Sequence, residues 1–362
     1  MKIDCSTLRS EYRRRHPLAR CVIAIGISAV AATTSAASAA AQSPPTQIPA
    51  TIASNQDPVS PTVTSQPPAT DALGGLDVLI ADRGNNRVLL ISAQKQILWE
   101  YDFAGLKPRS GADDAFFADG GKSIVVNLEH EQVVEVIDIA SKAVTWSYGT
   151  LGKRGSTPGL LNFPDDAYKL PSGDVIFADI RNCRIVDVAP DKHIVRQAGT
   201  TGRCRGGPTT LASPNGDKPI PNGHVLVSTI GDHSLTELDE TWAPVFKLTL
   251  PLHYPSDPQM TMAGNFLIAD YVRRGRIIEI TRDGKIVWDY VGIGDGQLNR
   301  PSLAIELPNG NILANDDLNH RVIAIDKVSK QIVWQYGVTG KAGAAPGYLS
   351  IPDGLDIEEP RS

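Results

Sequence analysis

This 362-residue chain lacks the features of several common protein classes. No unbroken apolar stretch reaches the roughly 20 residues that cross a bilayer comfortably. The longest such run, "CVIAIGISAVAA", is confined to residues 21–32. Only four cysteines are present and none falls in a C-x-x-C, so a zinc ribbon or a dithiol redox motif is excluded. Aromatic residues make up 6% of the chain, and no basic stripe is interleaved with them, which argues against a nucleic-acid surface. There is no Gly-rich phosphate loop, no Ser-His-Asp order and no assignable glycosidase carboxylate pair. No amphipathic helical period is found after residue 75, which leaves strands as the material of the fold.

Charge agrees with these exclusions. The chain carries −5, but its first 41 residues hold six Lys/Arg and two Asp/Glu, so the remainder carries −9.

What is present is a repeat. "DRGNNRVLLISAQKQILWEYD" (82–102), "DYVRRGRIIEITRDGKIVWDY" (270–290) and "NDDLNHRVIAIDKVSKQIVWQYGVTG" (315–340) are versions of one sentence. Six second strands follow this plan: "RVLLIS", "QVVEVID", "CRIVDV", "SLTELD", "RIIEIT" and "RVIAID". Each has a strand before it and a third after it. The runs are short, β-branched and bounded by Gly, Pro, Asn or Asp. A period of about 47 residues suits the four short strands of a propeller blade. A further strand should precede each unit, as in "ADDAFFA" (112–118), "PDDAYKL" (164–170), "DPQMTMA" (257–263) and "PSLAIEL" (301–307). The first unit lacks it, and "PDGLDIE" (352–358) supplies it from the opposite end of the chain. The expectation is an all-β, six-bladed β-propeller over 76–358, with four-stranded blades and the C-terminal strand completing the first.

The N-terminus reads separately. A basic "RRRHPLAR" (13–20), the apolar run and "SAASAAAQS" (35–43) make a secretory signal over 1–41, cut after Ala41. Residues 42–75 form a Pro/Ser/Thr-rich disordered linker, and 359–362 a tail. An extracytoplasmic location, periplasmic or secreted, follows. In that oxidising compartment Cys183 and Cys204, in two connections on one face of a blade, are expected to form a disulfide.

The segments "NNRVLLIS" and "LNHRVIAID" resemble NHL repeats. "IDIASKAVTWSYG" and "IDKVSKQIVWQYG" are similar to the Trp-bearing repeats of quinoprotein-type propellers. The likeness covers 76–358 and implies a six-bladed propeller, a fold that hosts lyases, hydrolases, transferases and binding modules alike. A quinone cofactor is not implied, since the chain has neither eight blades nor an adjacent Cys pair. Resemblance to the peptide-amidating lyase implies metal ligands at inner-strand starts. The matching positions here are Asp165, Ser302 and Asp353, with no His, so a zinc-dependent lyase of that type is not expected. Arylsulfotransferases are likewise six-bladed and export-targeted, with a His nucleophile. Their resemblance makes His130, His233 and His320, in turns, and His253, before an inner strand, the catalytic candidates, although "LHYPSD" does not reproduce that family's signature.

The most repeated polar residues read as architecture. Asp82/Arg87, Asp179/Arg184, Asp270/Arg276 and Asp316/Arg321 recur at nearly fixed spacing and are expected to brace turns as ion pairs. Trp99, Trp146, Trp288 and Trp334 share one outer-strand position and are expected to pack between blades. Function should sit where blades differ. The starts of the inner strands converge on the channel mouth with Asp353, Asp113, Asp165, Asn215, Ser256 and Ser302, followed by Asp114, Asp166 and Asp257. Two readings stay open: a solvated acidic entrance, or an all-oxygen Ca²⁺ site using Asp113, Asp165, Asp166, Asn215, Asp257 and Asp353. Arg83, Arg181, Arg203, Arg205, Arg273 and Arg274 form a basic rim with two readings, ordinary solvated loops or a surface that steers an anionic ligand.

The sequence thus points to an exported, monomeric module binding a small molecule, a carbohydrate or an envelope protein through its top face and channel mouth. The alternative is an enzyme at that mouth, either a Ca²⁺-dependent hydrolase or lyase or a sulfuryl transferase. Ca²⁺ is the one cofactor candidate, nucleic acid is not a partner, and a membrane is one only if the signal is retained as an anchor.

Overall fold

The computed structural model describes residues 72–103, 105, 111–205, 207 and 209–358. The signal expected at 1–41, the linker up to residue 71 and the tail 359–362 lie outside the described residues.

The described chain forms six four-stranded antiparallel sheets. Blade 1 contains β1 (Asp77–Asp82), β2 (Arg87–Ile91) and β3 (Ile97–Asp102). Blade 2 holds β4 (Asp114–Ala118), β5 (Ser123–Leu128), β6 (Val133–Asp138) and β7 (Val144–Gly149). Blade 3 follows with β8 (Pro164–Lys169), β9 (Val175–Asp179), β10 (Arg184–Val188) and β11 (Ile194–Gly199). Blade 4 is β12 (Pro214–Pro219), β13 (Val225–Thr229), β14 (Ser234–Leu238) and β15 (Pro244–Thr249). Blade 5 is β16 (Gln259–Met260), β17 (Phe266–Ala269), β18 (Ile277–Ile280) and β19 (Ile286–Tyr290). Blade 6 is β20 (Ala304–Glu306), β21 (Ile312–Asp316), β22 (Arg321–Ile325) and β23 (Ile332–Gly337). The last strand, β24 (Pro352–Glu358), joins blade 1 and pairs antiparallel with β1, Val78 opposite Ile357 and Ile80 opposite Leu355. The ring closes as the sequence implied.

Position within a blade explains the strand sequences. The middle strands are covered on both faces by neighbouring blades, so β1, β2, β9, β10 and β22 are buried throughout and read as near-continuous apolar runs. The outer strands β7 and β15 are partly exposed and tolerate Thr, Ser and Lys. Several outer strands end in Gly because the chain turns there with positive φ. At Gly149 (φ 107°) a Cβ would sit 2.2 Å from the Gln132 carbonyl oxygen.

Three of the four repeat tryptophans join blades by hydrogen bonds, while the buried Trp146 indole N–H has no hydrogen-bond partner among the described residues. The indole N–H of Trp99 donates to the Ile139 carbonyl at 3.0 Å, that of Trp288 to Lys327 at 2.8 Å, and that of Trp334 in blade 6 to Ala93 in blade 1 at 2.9 Å. Three of the four expected Asp–Arg pairs form, each 2.8 Å and buried: Asp82–Arg87, Asp179–Arg184 and Asp316–Arg321. In each, the second carboxylate oxygen accepts the backbone N–H of a residue ahead of that blade's innermost strand: Ser350, Asn162 or Asn299. The pair therefore ties the second strand to the entry of the first. The fourth pair does not form. Arg276 instead donates to the Pro251 carbonyl, and Asp270 accepts the backbone N–H groups of His253 and Tyr254. The extra residue in "DYVRRGR" lengthens that turn and swings the arginine out. A second correction concerns the linker boundary. Ala72 and Leu73 are buried, and Asn309 and Asn311 donate to the Ala72 carbonyl, so residues 72–75 belong with the propeller.

Cys183 and Cys204 form the expected disulfide, with Cα atoms 5.1 Å apart. An internal disulfide fits an oxidising environment. Among the described residues no helix is long and apolar enough to cross a membrane.

Candidate functional site

All six innermost strands deliver a polar side chain to the same end of the channel. A cavity of about 200 Å³ there is lined by Asp113, Asp114, Asp165, Asn215, Ser256, Asp257, Ser302 and Asp353, the positions expected from the sequence. Arg83, Glu129, Tyr254 and Tyr271 line it as well. Inner-strand irregularities aim these groups. Register shifts interrupt β8 between Asp165 and Tyr168, and β12 between Pro214 and Gly216. Asp166 takes φ 45° and turns inward, and Gly216 leaves room for it, since a Cβ there would lie 3.1 Å from Asp166 Oδ2.

Arg83 departs from the expected basic rim. Its guanidinium turns into the throat and pairs with Asp113, with Asp353 at 2.6 Å and with Glu129 at 2.8 Å. Burial alone would lower its pKa, but Asp113, Asp353 and Glu129 raise it far above the ordinary arginine value, so it is a fixed cation. The remaining carboxylates are poorly compensated. Burial, then mutual repulsion, holds Asp165, Asp166 and Asp257 well above the usual carboxylate range. Asp113 is also raised by burial, against the opposing pull of Arg83. Asp114 is pushed up to about 6, mainly by burial and then by Asp353, although the Asn127 amide, 3.1 Å away, partly offsets this. Asn127 also donates to Asp165 at 3.2 Å. Asn215 is occupied by Ser256 and Ser228. Two trios have carboxylate oxygens within 4.8 Å of one another: Asp113, Asp114 and Asp165, and Asp114, Asp166 and Asp257.

The candidate histidines are held by different partners. His130 contacts Arg83 Nη2 through Nδ1 at 3.1 Å and meets Phe163 edge-on. The Nδ1 of His320 accepts the Ile351 N–H at 3.1 Å. His253 is largely exposed beside Asp270. His233 and His320 occupy one repeat position, shared with Asn86, Gln132 and Cys183, whose φ lies between 52° and 65°. Asn and His are enriched in that conformation, so the turn accounts for them.

Sequence reasoning missed Glu129, Tyr271 and Asp317. A signal existed, because all three follow the second strand of their blade at the position that Arg83 holds in blade 1. Asp317 is buried and accepts a hydrogen bond from Ser302.

Outside the throat lies a depression of about 720 Å³ lined by Arg83, Asn85, Asn86, His130, Tyr271, Arg300, Leu318 and Ile351. An arc of cations and rings surrounds it. Arg300 lies 5.4 Å from the Tyr271 ring centre, and Tyr254 packs on Tyr271 at 5.3 Å. Beyond His130, Phe163 carries Arg181 at 3.5 Å and Arg154 at 4.5 Å. Arg181, Arg203, Arg205, Arg273 and Arg274 are all exposed. A cleft of about 700 Å³ between β19 and β23 also has room for a ligand, but its one arginine, Arg321, is already committed to Asp316.

No family model matches the sequence, and no curated protein matches it. Solved structures do match. A Bacteroides caccae protein of unknown function aligns with a TM-score of 0.58 at 16% identity, over 78% of this chain and 98% of that one. The chain is a six-bladed β-propeller. Its likeness extends to a chain of a nidogen/laminin complex (TM-score 0.55, 15% identity, 78% and 98% covered) and to a streptogramin B lyase (0.53, 15%, 78% and 93%). At these identities the propeller's likeness is one of fold.

Proposed function

We propose that the protein works outside the cytoplasm as a binding module, and that the depression over the channel mouth takes an acidic carbohydrate. One observation carries this reading. Arg154, Arg181 and Arg300 flank the mouth stacked on aromatic rings, and among the described residues none of them has a carboxylate partner. Guanidinium groups favour bidentate capture of carboxylates and sulfates. The Tyr254 and Tyr271 rings offer apolar area with polar tips, the surface that sugar rings stack on. A volume of about 720 Å³ lies within the range of small-ligand sites. The remainder of the chain after residue 41 is acidic, so attraction of an anion must be local to this arc.

The test is calorimetric titration with an oligogalacturonate and with a neutral oligosaccharide of equal length. The acidic sugar is expected to bind, to weaken as salt rises, and to lose at least about tenfold in affinity in the Arg181→Ala/Arg300→Ala double variant. Equal binding of both sugars, or an unchanged double variant, would overturn the reading.

A further inference from the structure

We infer that a divalent cation binds in the channel between Asp114, Asp166 and Asp257, one residue further along the inner strands than the Arg83-paired Asp113 and Asp353. This goes beyond the binding reading above and does not depend on it.

The outer carboxylates already have a cation. Asp113 and Asp353 share the Arg83 guanidinium. The inner trio has none, although its carboxylate oxygens lie within 4.8 Å of one another. Asp166 is fully buried, and neither of its oxygens makes a well-formed hydrogen bond; the Asp217 backbone amide is near enough only to temper the rise in its pKa. Asp114 Oδ1 is likewise buried without a well-formed hydrogen bond, Asp165 and the Asp166 backbone amide only tempering the rise in its pKa. A second, independent group points the same way. Asp217, contributed by blade 4 and fully buried, leaves both oxygens without a well-formed hydrogen bond and sits close enough to Asp166 to repel it. Burying unpaired carboxylates is costly, because they lose hydration without gaining a partner. The nearby cations answer this charge only in part, since Lys218 tempers the rise at Asp166 but forms no ion pair with the trio. Arg83 is taken up at the mouth, and Lys218 extends over the Tyr168 ring, 4.6 Å from its centre.

Donors that are all oxygen and mostly carboxylate suit a hard ion, Ca²⁺ or Mg²⁺, rather than Zn²⁺. The spacing allows bonds of the Ca²⁺ length, and the mouth cavity, which Asp114 and Asp257 line, gives the ion a path. The competing way to relieve the repulsion is for the trio to hold protons.

The experiment separates the two. The purified protein is stripped with chelator and titrated with CaCl₂ and with MgCl₂ at pH 7.5, by calorimetry and by thermal shift. Binding of one equivalent of either ion, with a rise in melting temperature, is expected. Asp166→Asn, which mimics the protonated acid, is expected to lose at least about tenfold in ion affinity. Asp187→Asn, which removes a buried carboxylate paired with Arg196 on an outer strand, is expected to bind as the wild type does. Asp257→Asn gives the same readout should Asp166→Asn fail to fold. No ion binding by the wild type would overturn the inference, as would full binding by the Asp166→Asn or Asp257→Asn variant. Repeating the sugar titration in chelator shows whether the two sites fail separately.

Discussion

Ending the chain at Ser350 would remove β24 and leave β1 at the inner edge of blade 1. The loss can be built up from its parts. Five residue pairs align β24 with β1, and ladder hydrogen bonds are worth roughly 0.5–1.5 kcal/mol each, so several kcal/mol go with the ladder. Leu355 is fully buried in the largest core cluster, and its burial adds about 2–3 kcal/mol. Arg83 loses Asp353 but keeps Asp113 and Glu129, so the lost charge-assisted hydrogen bond adds about 2 kcal/mol. The total, about 10 kcal/mol, matches the whole stability of an ordinary domain. The truncated protein should therefore lack a cooperative thermal transition by circular dichroism. A graded version is Leu355→Ala, expected to cost about 2–5 kcal/mol. At about 2 °C per kcal/mol for a domain of this size, that is roughly 4–10 °C in melting temperature. Leu98→Ala, at a half-exposed position on β3, should change little. An unchanged melting temperature after truncation would refute the closure argument.

Two further outcomes are expected. Replacing Cys183 and Cys204 by Ala opens a loop with a sequence separation of 21 and should cost about 3 kcal/mol, measured by denaturant melts of oxidised protein; equal stability would mean the bond constrains nothing. His320 has its pKa lowered by burial, against the opposing pull of Asp82 and Asp316, and its neutral Nδ1 accepts the Ile351 N–H just ahead of β24. A depressed histidine contributes stability that is fully present above its unfolded pKa of about 6.5 and is lost as pH falls through the folded value. Melting temperature should therefore fall more between pH 7 and pH 5 in the wild type than in His320→Asn, and parallel profiles would contradict the assignment.

The ring and its closure were legible because each middle strand is buried on both faces, which forces β-branched runs such as "RVIAID" to recur. Strand β12 was harder to see, since "PNGDKP" has no apolar alternation and draws its place from pairing with β13. The converging carboxylates were legible from inner-strand starts alone. The inward turn of Arg83 was not, because an arginine in a turn normally reaches solvent, and only Asp113, Glu129 and Asp353 from other strands and turns make the throat its better partner. The Asp270/Arg276 pairing failed for a comparable reason, since spacing alone does not report where a lengthened turn points its side chain.

The central functional claim is that the cation–aromatic arc at the mouth receives the acidic ligand. Nitrogen-15 spectra of the arginine Nε–H groups, recorded while oligogalacturonate is added, test it most directly. The account expects shifts at Arg181 and Arg300 and none at Arg196, which is held on an outer strand by Asp187. Shifts confined to Arg196 and other outer-strand arginines, or no shifts at saturating ligand, would contradict it.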